Sequence, residues 1–107
     1  MQWLLLAGAI LTEVAGTLAL RMATTGKAAW YIAVAAGYVL SFVLLALTLA
    51  AGMPLGVAYG VWAATGVALV AIAGRVLFKE SFTWIMALGI VLIAAGVFLV
   101  EWGSQIG

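Results

Sequence analysis

The sequence contains no cysteine and no histidine, and proline occurs only once. Without cysteine the chain forms no disulfide and offers no thiol nucleophile. Without histidine it lacks the side chain that usually exchanges protons near neutral pH, so any proton chemistry must fall to a carboxylate, a tyrosine or a lysine. The net charge of +1, with no run of basic residues, gives no indication of nucleic-acid binding.

Charged residues are also scarce, since they make up 7% of the 107 residues whereas 69% are hydrophobic. A water-soluble domain of this length needs many more polar side chains to cover its surface. Most of this surface is therefore predicted to face lipid. A membrane-spanning helix needs about 20 predominantly apolar residues. Four segments meet that requirement, at residues 3–20, 30–51, 55–78 and 82–102.

These segments predict an all-α integral membrane protein with four transmembrane helices, forming one domain over residues 1–107. Helices are expected because lipid cannot satisfy an open strand edge. The breaks are short, and Ser81 is predicted to cap the fourth helix. Lys79 and Glu80 beside it are interpreted as an ordinary solvated loop pair. Four helices alone make a bundle too thin to enclose a substrate, so we expect a dimer.

Glu13 is the strongest single indication of function, because it lies near the middle of the first span. A carboxylate there costs about 2.5–3.5 kcal/mol on insertion scales. No Lys or Arg lies one helical turn away, and the neighbouring Gly16 and Thr17 are small. One interpretation is a hydrogen bond that only packs helices; the favoured one is function. Desolvation favours the neutral acid and a nearby cation favours the ionised form, so proton and cation compete for one group.

Aromatic and hydroxyl side chains are predicted to face the interior of the bundle near this glutamate. Aromatic faces attract desolvated organic cations, although the same residues can simply pack the bundle. Together with Glu13 they indicate a cation site built from a carboxylate and aromatic rings. The residues that share a helix face are Tyr59, Trp62 and Gly66 in the third span and Tyr38, Ser41, Leu45 and Thr48 in the second.

Glycine recurs every seven residues in the fourth span, at Gly89, Gly96 and Gly103. Small residues on one face let another helix approach closely. Gly56 and Gly60 form a similar pair in the third span. We expect the fourth span, through Gly89 and Gly96, to make the contact between the two protomers.

Several stretches of the sequence are similar to those of the small multidrug resistance family, and the chain resembles that family over nearly its whole length. The matching stretches are residues 9–17 (AILTEVAGT), Ser41-Phe42 with residues 44–46 (LLA), residues 56–62 (GVAYGVW), and Gly89 with residues 95–97 (AGV). One departure is Lys27 after Gly26, where the family usually has Phe, with no proline following.

The resemblance implies an antiparallel dimer of four-helix chains. The membrane glutamate of the family, here Glu13, would bind protons and a cationic substrate alternately. The aromatics that match Tyr38, Tyr59 and Trp62 would line the site, with Tyr59 also acting in switching. Guanidinium exporters tend to carry Trp where this chain has Gly16, so the chain looks like the branch that handles quaternary and aromatic cations.

The basic residues are distributed unevenly between the two sides of the predicted bundle. Arg21 and Lys27 border the first break, and Arg75 and Lys79 border the third. Those breaks lie on one side of a four-span chain, which the positive-inside rule makes cytoplasmic. A homodimer of antiparallel chains needs both orientations. We therefore hypothesise a fixed orientation and a different partner chain of opposite topology, with a homodimer as the alternative.

The function predicted from the sequence is a proton-coupled antiporter of the cell (inner) membrane that exports lipophilic or quaternary ammonium cations by alternating access. The alternatives are a guanidinium or polyamine exporter, a non-transporting structural subunit and a lipid-flipping accessory. No covalent chemistry, cofactor or metal is predicted, so the protein is not expected to be an enzyme. Glu13 is predicted to bind protons and cations, and the predicted substrate-binding residues are Trp62, Tyr59, Tyr38, Ser41, Thr17 and Gly16.

Overall fold

The chain folds into four α-helices in a computed structural model that describes residues 1–106. Helix α1 spans Gln2–Thr25, α2 spans Trp30–Ala50, α3 spans Leu55–Phe78 and α4 spans Trp84–Ile106. Each helix is long and apolar enough to cross a membrane. The all-helical, multi-pass membrane architecture predicted from the composition is therefore confirmed.

The ends of two helices differ from the segments drawn by hydrophobicity. Helix α1 continues five residues past 20, and the hydroxyls of Thr24 and Thr25 donate to the Arg21 carbonyl oxygen at 2.9 and 3.2 Å. Helix α4 begins at Trp84, and the hydroxyl oxygen of Thr83 accepts a hydrogen bond from a backbone N–H of its first turn at 3.3 Å. The prediction that Ser81 caps this helix was wrong, because residues 81–83 precede the helix and Thr83 bonds to its first turn.

Helix α1 is the centre of the arrangement, since it packs against both α2 and α3. A small core joins the three helices. Leu6 and Ile10 of α1 cluster with Val57 and Ala58 of α3 and with Met53, and Leu45 and Leu49 of α2 pack against this cluster. Within residues 1–106, helix α4 packs against α3 and touches neither α1 nor α2. None of the described α4 residues is buried, so most of this helix is free to meet lipid or another chain.

Two glycines let the backbones of α1 and α2 meet. A Cβ atom at Gly37 would lie 2.9 Å from the Cα of Gly16 and 3.0 Å from the Thr12 carbonyl oxygen. Backbone atoms cannot yield easily, so only glycine fits at this crossing. The close approach brings Tyr38 over Gly16, with a ring carbon 3.2 Å from where a Gly16 Cβ would be.

An ion pair joins the end of α1 to the connection before α4. Arg21 Nε lies 3.2 Å from Glu80 Oε2, and the backbone N–H of Glu80 donates to the Gly74 carbonyl oxygen at 3.1 Å. Glu80 lies in the loop and is exposed, as expected, but its ion-pair partner is Arg21 of α1 rather than the neighbouring Lys79. The pair also places the first and third connections at the same end of the molecule, as the sequence predicted.

Candidate functional site

Glu13 holds its two carboxylate oxygens in different surroundings. Oε1 accepts a hydrogen bond from the Thr17 hydroxyl, 3.1 Å away on the next turn of α1. Oε2 is buried and has no hydrogen-bond partner among residues 1–106. A buried acceptor without a partner is costly, and each such group in a native protein calls for an explanation. Oε2 is thus the carboxylate oxygen whose hydrogen-bonding capacity is unused within the described chain.

No basic side chain neutralises Glu13 within the part of the chain that the structure describes. The salt bridge found there joins Arg21 and Glu80, at the end of the bundle. A glutamate locked to an arginine or lysine could not exchange ligands freely. Glu13 is therefore not held in a salt bridge within residues 1–106.

A chain of hydroxyl groups connects Glu13 to α2. The Tyr38 and Thr17 hydroxyl oxygens are 2.8 Å apart. An ionised carboxylate only accepts hydrogen bonds, so Thr17 donates its proton to Glu13 and Tyr38 donates to Thr17. The structure thus brings Tyr38 and Thr17 to the glutamate, with Tyr38 acting through Thr17.

Trp62 of α3 is held by side chains of α2. Its indole Nε1–H donates to the hydroxyl oxygen of Ser41 at 3.3 Å, and that buried hydroxyl donates to the Ala9 carbonyl oxygen at 2.7 Å. Phe42 packs edge-on against the indole, with ring centroids 5.5 Å apart. Ser41 therefore ties the indole to both α1 and α2. Phe42 was missed as a site residue, although it stands next to Ser41 in the sequence.

A groove of about 500 Å³ lies between α1 and α3 beside Glu13. A Cβ atom at Gly66 would be 2.9 Å from Glu13 Oε2, so this glycine lets the carboxylate lie against α3. We call this space the Glu13 groove. It is lined by Glu13, Thr17, Trp62, Ala63, Gly66, Val67, Val70 and Ala71. The four aliphatic residues of α3 were not singled out from the sequence, since alanine and valine there resemble any lipid-facing residues.

The remaining predicted site residues lie outside this lining. Gly16 is buried beneath Tyr38. Tyr59 is 56% exposed, and its ring centroid is 5.6 Å from that of Trp62. One side of the Tyr59 ring therefore packs against Trp62, and the rest faces the outside of the chain. On α4, a Cβ atom at Gly89 or Gly96 would meet nothing within 4 Å in the described chain. Those two glycines are open on their outer side, and their role in a dimer stays a prediction.

Four apolar helices, one of which carries a carboxylate with no basic partner within residues 1–106, define a multi-pass membrane protein with a candidate cation site. A family model described as Small Multidrug Resistance protein matches residues 1–93. The chain belongs to the small multidrug resistance family, and the resemblance noted from the sequence is confirmed. Members of this family are dimeric transporters of small cations rather than enzymes, so membership indicates a small multidrug transporter.

Proposed function

We propose that this protein is a proton-coupled antiporter that exports lipophilic or quaternary ammonium cations by alternating access, with the four helices acting as one transmembrane unit. The observation that carries the proposal is the buried Oε2 of Glu13, which has no partner within the described chain and lies beside an apolar groove. Trp62 contributes an aromatic surface to the same groove.

The exchange of a proton for a cation follows because both ligands bind the Glu13 carboxylate. A lipophilic cation in the Glu13 groove gains from the ionised carboxylate and from the indole face of Trp62. A proton on Glu13 removes the negative charge and with it most of that attraction. Because one carboxylate cannot hold both, arrival of a proton releases the cation and arrival of a cation releases the proton.

The hydroxyl chain holds the Glu13 carboxylate in position beside the groove. A charge-assisted hydrogen bond from Thr17 is stronger than one between neutral groups, and Tyr38 polarises that hydroxyl further. The carboxylate is therefore oriented by α1 and α2 while Oε2 stays beside the groove. Ser41 contributes by fixing the ring of Trp62.

The proposal includes an antiparallel dimer in the inner membrane. Helix α4 packs on α3 alone, and the Glu13 groove is bounded by only two helices of one chain. A second chain would close the groove and place a second glutamate opposite the first. Gly89 and Gly96 are proposed as the α4 contact, and the exposed Tyr59 is proposed to reach the shared site.

We further propose that this chain inserts in one orientation and pairs with a different chain of opposite topology. Its four basic residues, Arg21, Lys27, Arg75 and Lys79, all lie at or near the end where Arg21 meets Glu80. Such a bias favours a cytoplasmic location for that end. A topology reporter fused to the C-terminus should read the outer side; comparable signals from both sides would support a homodimer instead.

The transport proposal is tested by binding of tetraphenylphosphonium from mildly acidic to mildly alkaline pH. The unaltered protein should bind more tightly as pH rises, and Glu13→Gln should lose both the affinity and the pH dependence. Glu101→Gln is the matched control, because Glu101 lies near the end of α4, outside the Glu13 groove. Binding that ignores both pH and Glu13 would contradict the proposal. If guanidinium or a polyamine binds more tightly than tetraphenylphosphonium, that cation is the better candidate for the exported substrate.

A further inference from the structure

A second groove, of about 630 Å³, lies where the end of α1, the start of α2 and the end of α3 meet. At 100° per residue, its α1 residues Ala15, Leu18 and Met22 lie on the opposite side of that helix from Glu13. This space is therefore separate from the Glu13 groove, and we call it the back groove. It is lined entirely by apolar residues: Ala15, Leu18, Ala19, Met22, Trp30, Ala33, Leu77 and Phe78.

Arg21 stands at the rim of the back groove. Its guanidinium carbon is 5.2 Å from the centroid of the Phe78 ring, which lines the groove. The side chain is 43% exposed, and its Nε contacts Glu80. A guanidinium has five N–H donors in a planar fork, so donors other than Nε–H remain to bind a phosphate.

Lys27 lies in the turn that leads from the rim into α2. Its carbonyl oxygen accepts a hydrogen bond from the backbone N–H of Trp30 at 3.2 Å, and the Trp30 ring lines the groove. Trp30 stands at the first residue of its helix, at the level where indole rings favour the lipid headgroups. The apolar groove thus ends in a zone that holds an arginine, a lysine and an indole.

The charge at this end of the bundle is strongly one-sided. Four basic residues lie at or near it, namely Arg21, Lys27, Arg75 and Lys79, and Glu80 is the acidic residue there. Glu80 offsets only one of the four positive charges. Basic residues beside an apolar cleft between helices, at the headgroup level, attract anionic lipids more than zwitterionic ones.

We propose that the back groove binds an anionic phospholipid, with an acyl chain between α1, α2 and α3 and the phosphate at Arg21 and Lys27. A zwitterionic phospholipid has the same chains but brings no net charge to the basic rim. The groove therefore selects by headgroup, and this selection is independent of the cation exchange at Glu13.

Quenching of Trp30 fluorescence by phospholipids with brominated acyl chains tests the proposal. The protein is placed in bilayers that contain brominated phosphatidylglycerol or brominated phosphatidylcholine at the same fraction. The contribution of Trp30 is obtained by subtracting the signal of the Trp30→Phe variant. Phosphatidylglycerol should quench Trp30 at a lower fraction than phosphatidylcholine, because it occupies the groove preferentially.

Two matched variants separate the rim from general surface charge. Lys27→Gln should weaken the preference for phosphatidylglycerol about fivefold, the effect of one basic residue near a membrane surface. Arg75→Gln removes the same charge from α3 outside the groove lining and should change the preference much less. Ala33→Phe, at an exposed lining position, should fill the groove and reduce quenching by both lipids.

Three results would overturn the proposal. Equal quenching by the two lipids would mean that Trp30 meets only the ordinary lipid annulus. Equal effects of Lys27→Gln and Arg75→Gln would mean that the rim recognises nothing in particular. A lack of quenching by either lipid would mean that a second chain covers the groove. The Glu13→Gln variant should keep the lipid preference, so failure of the transport proposal leaves this result unchanged.

Discussion

The position of the Glu13 carboxylate depends on a glycine of the opposite helix. A Cβ atom added at Gly66 would be only 2.9 Å from Oε2, which is closer than real Cβ atoms normally approach. Glycine therefore leaves the room that the carboxylate occupies. The carboxylate is the far end of a flexible side chain and can move aside. A larger residue at position 66 would therefore displace the charged group without breaking the fold.

Gly66→Ala should weaken tetraphenylphosphonium binding by roughly tenfold, or about 1.4 kcal/mol, while unfolding is nearly unchanged. The reason is that the displaced carboxylate no longer faces the Glu13 groove. Binding titrations check this, and Gly60→Ala is the control, because its Cβ would be 3.6 Å from a Val97 methyl group, an ordinary contact. Identical affinities for the two variants would show that the position of Oε2 is unimportant.

Gly37→Ala should destabilise the fold itself. Its Cβ would lie 2.9–3.1 Å from backbone atoms of Gly16 and Thr12, which can yield only if α1 and α2 separate. Overpacking of this kind costs about 1–3 kcal/mol. Reversible unfolding in mixed detergent micelles measures the loss. Gly60→Ala, whose Cβ would be 3.6 Å from a Val97 methyl group, should unfold like the unaltered protein, and a similar loss in both variants would contradict the explanation.

At the scale of residues, the sequence indicates well which residues carry chemistry. It gives less information about the residues to which they form hydrogen bonds. Glu13 stands out because a carboxylate in lipid is costly, and Trp62 because it lies far from the headgroup zone. The hydrogen bonds of Tyr38 with Thr17 and of Ser41 with Ala9 depend on how far α2 is shifted along α1. That shift is set by the contact of Gly16 with Gly37, which no spacing within one helix reveals.

At the scale of helices, hydrophobicity predicts the four elements well because each span is a long apolar run. The residues at which the helices begin and end are harder to predict from the sequence. Helix α1 runs on through Thr24 and Thr25 because their hydroxyls bond to its own backbone, and Thr83 rather than Ser81 accepts from the first turn of α4. Neighbouring Ser and Thr residues can each form such a hydrogen bond at a helix end. Composition alone therefore does not show which of them marks the end.

The Arg21–Glu80 pair links α1 to the α3–α4 connection and should contribute only modestly to the free energy of unfolding. Both side chains are about half exposed, at 43% and 51%, so solvent screens the attraction. A double-mutant cycle with Arg21→Gln and Glu80→Gln, followed by unfolding, should give a coupling energy of about 0.2–1 kcal/mol. A coupling of several kcal/mol would show that the pair is desolvated, contrary to the exposure of its two side chains.

Helix α4 should carry the contact between chains through its glycine face. Gly96→Leu places a bulky side chain where the described chain leaves open space, and should raise the monomer fraction about tenfold or more if helices approach closely there. Single-molecule photobleaching in bilayers counts the protomers. Ala95→Leu is the control, since Ala95 is also exposed but lies on an adjacent face. Dimers unaffected by Gly96→Leu would place the contact elsewhere.

At the scale of the whole molecule, one chain leaves two surfaces incomplete. The Glu13 groove is bounded by α1 and α3, and α4 is covered on its α3 side only. Membership of the small multidrug resistance family accounts for both features, because its members work as dimers. The back groove differs, since its basic rim suits a lipid rather than a second apolar chain.

The most direct test of the central claim is proton release on cation binding. Tetraphenylphosphonium is added to the purified protein in weakly buffered, mildly acidic solution with a pH indicator. The unaltered protein should release protons in proportion to the cation bound, and Glu13→Gln should release none. Saturating cation binding to the unaltered protein without proton release would contradict the claim that the two ligands compete for one carboxylate.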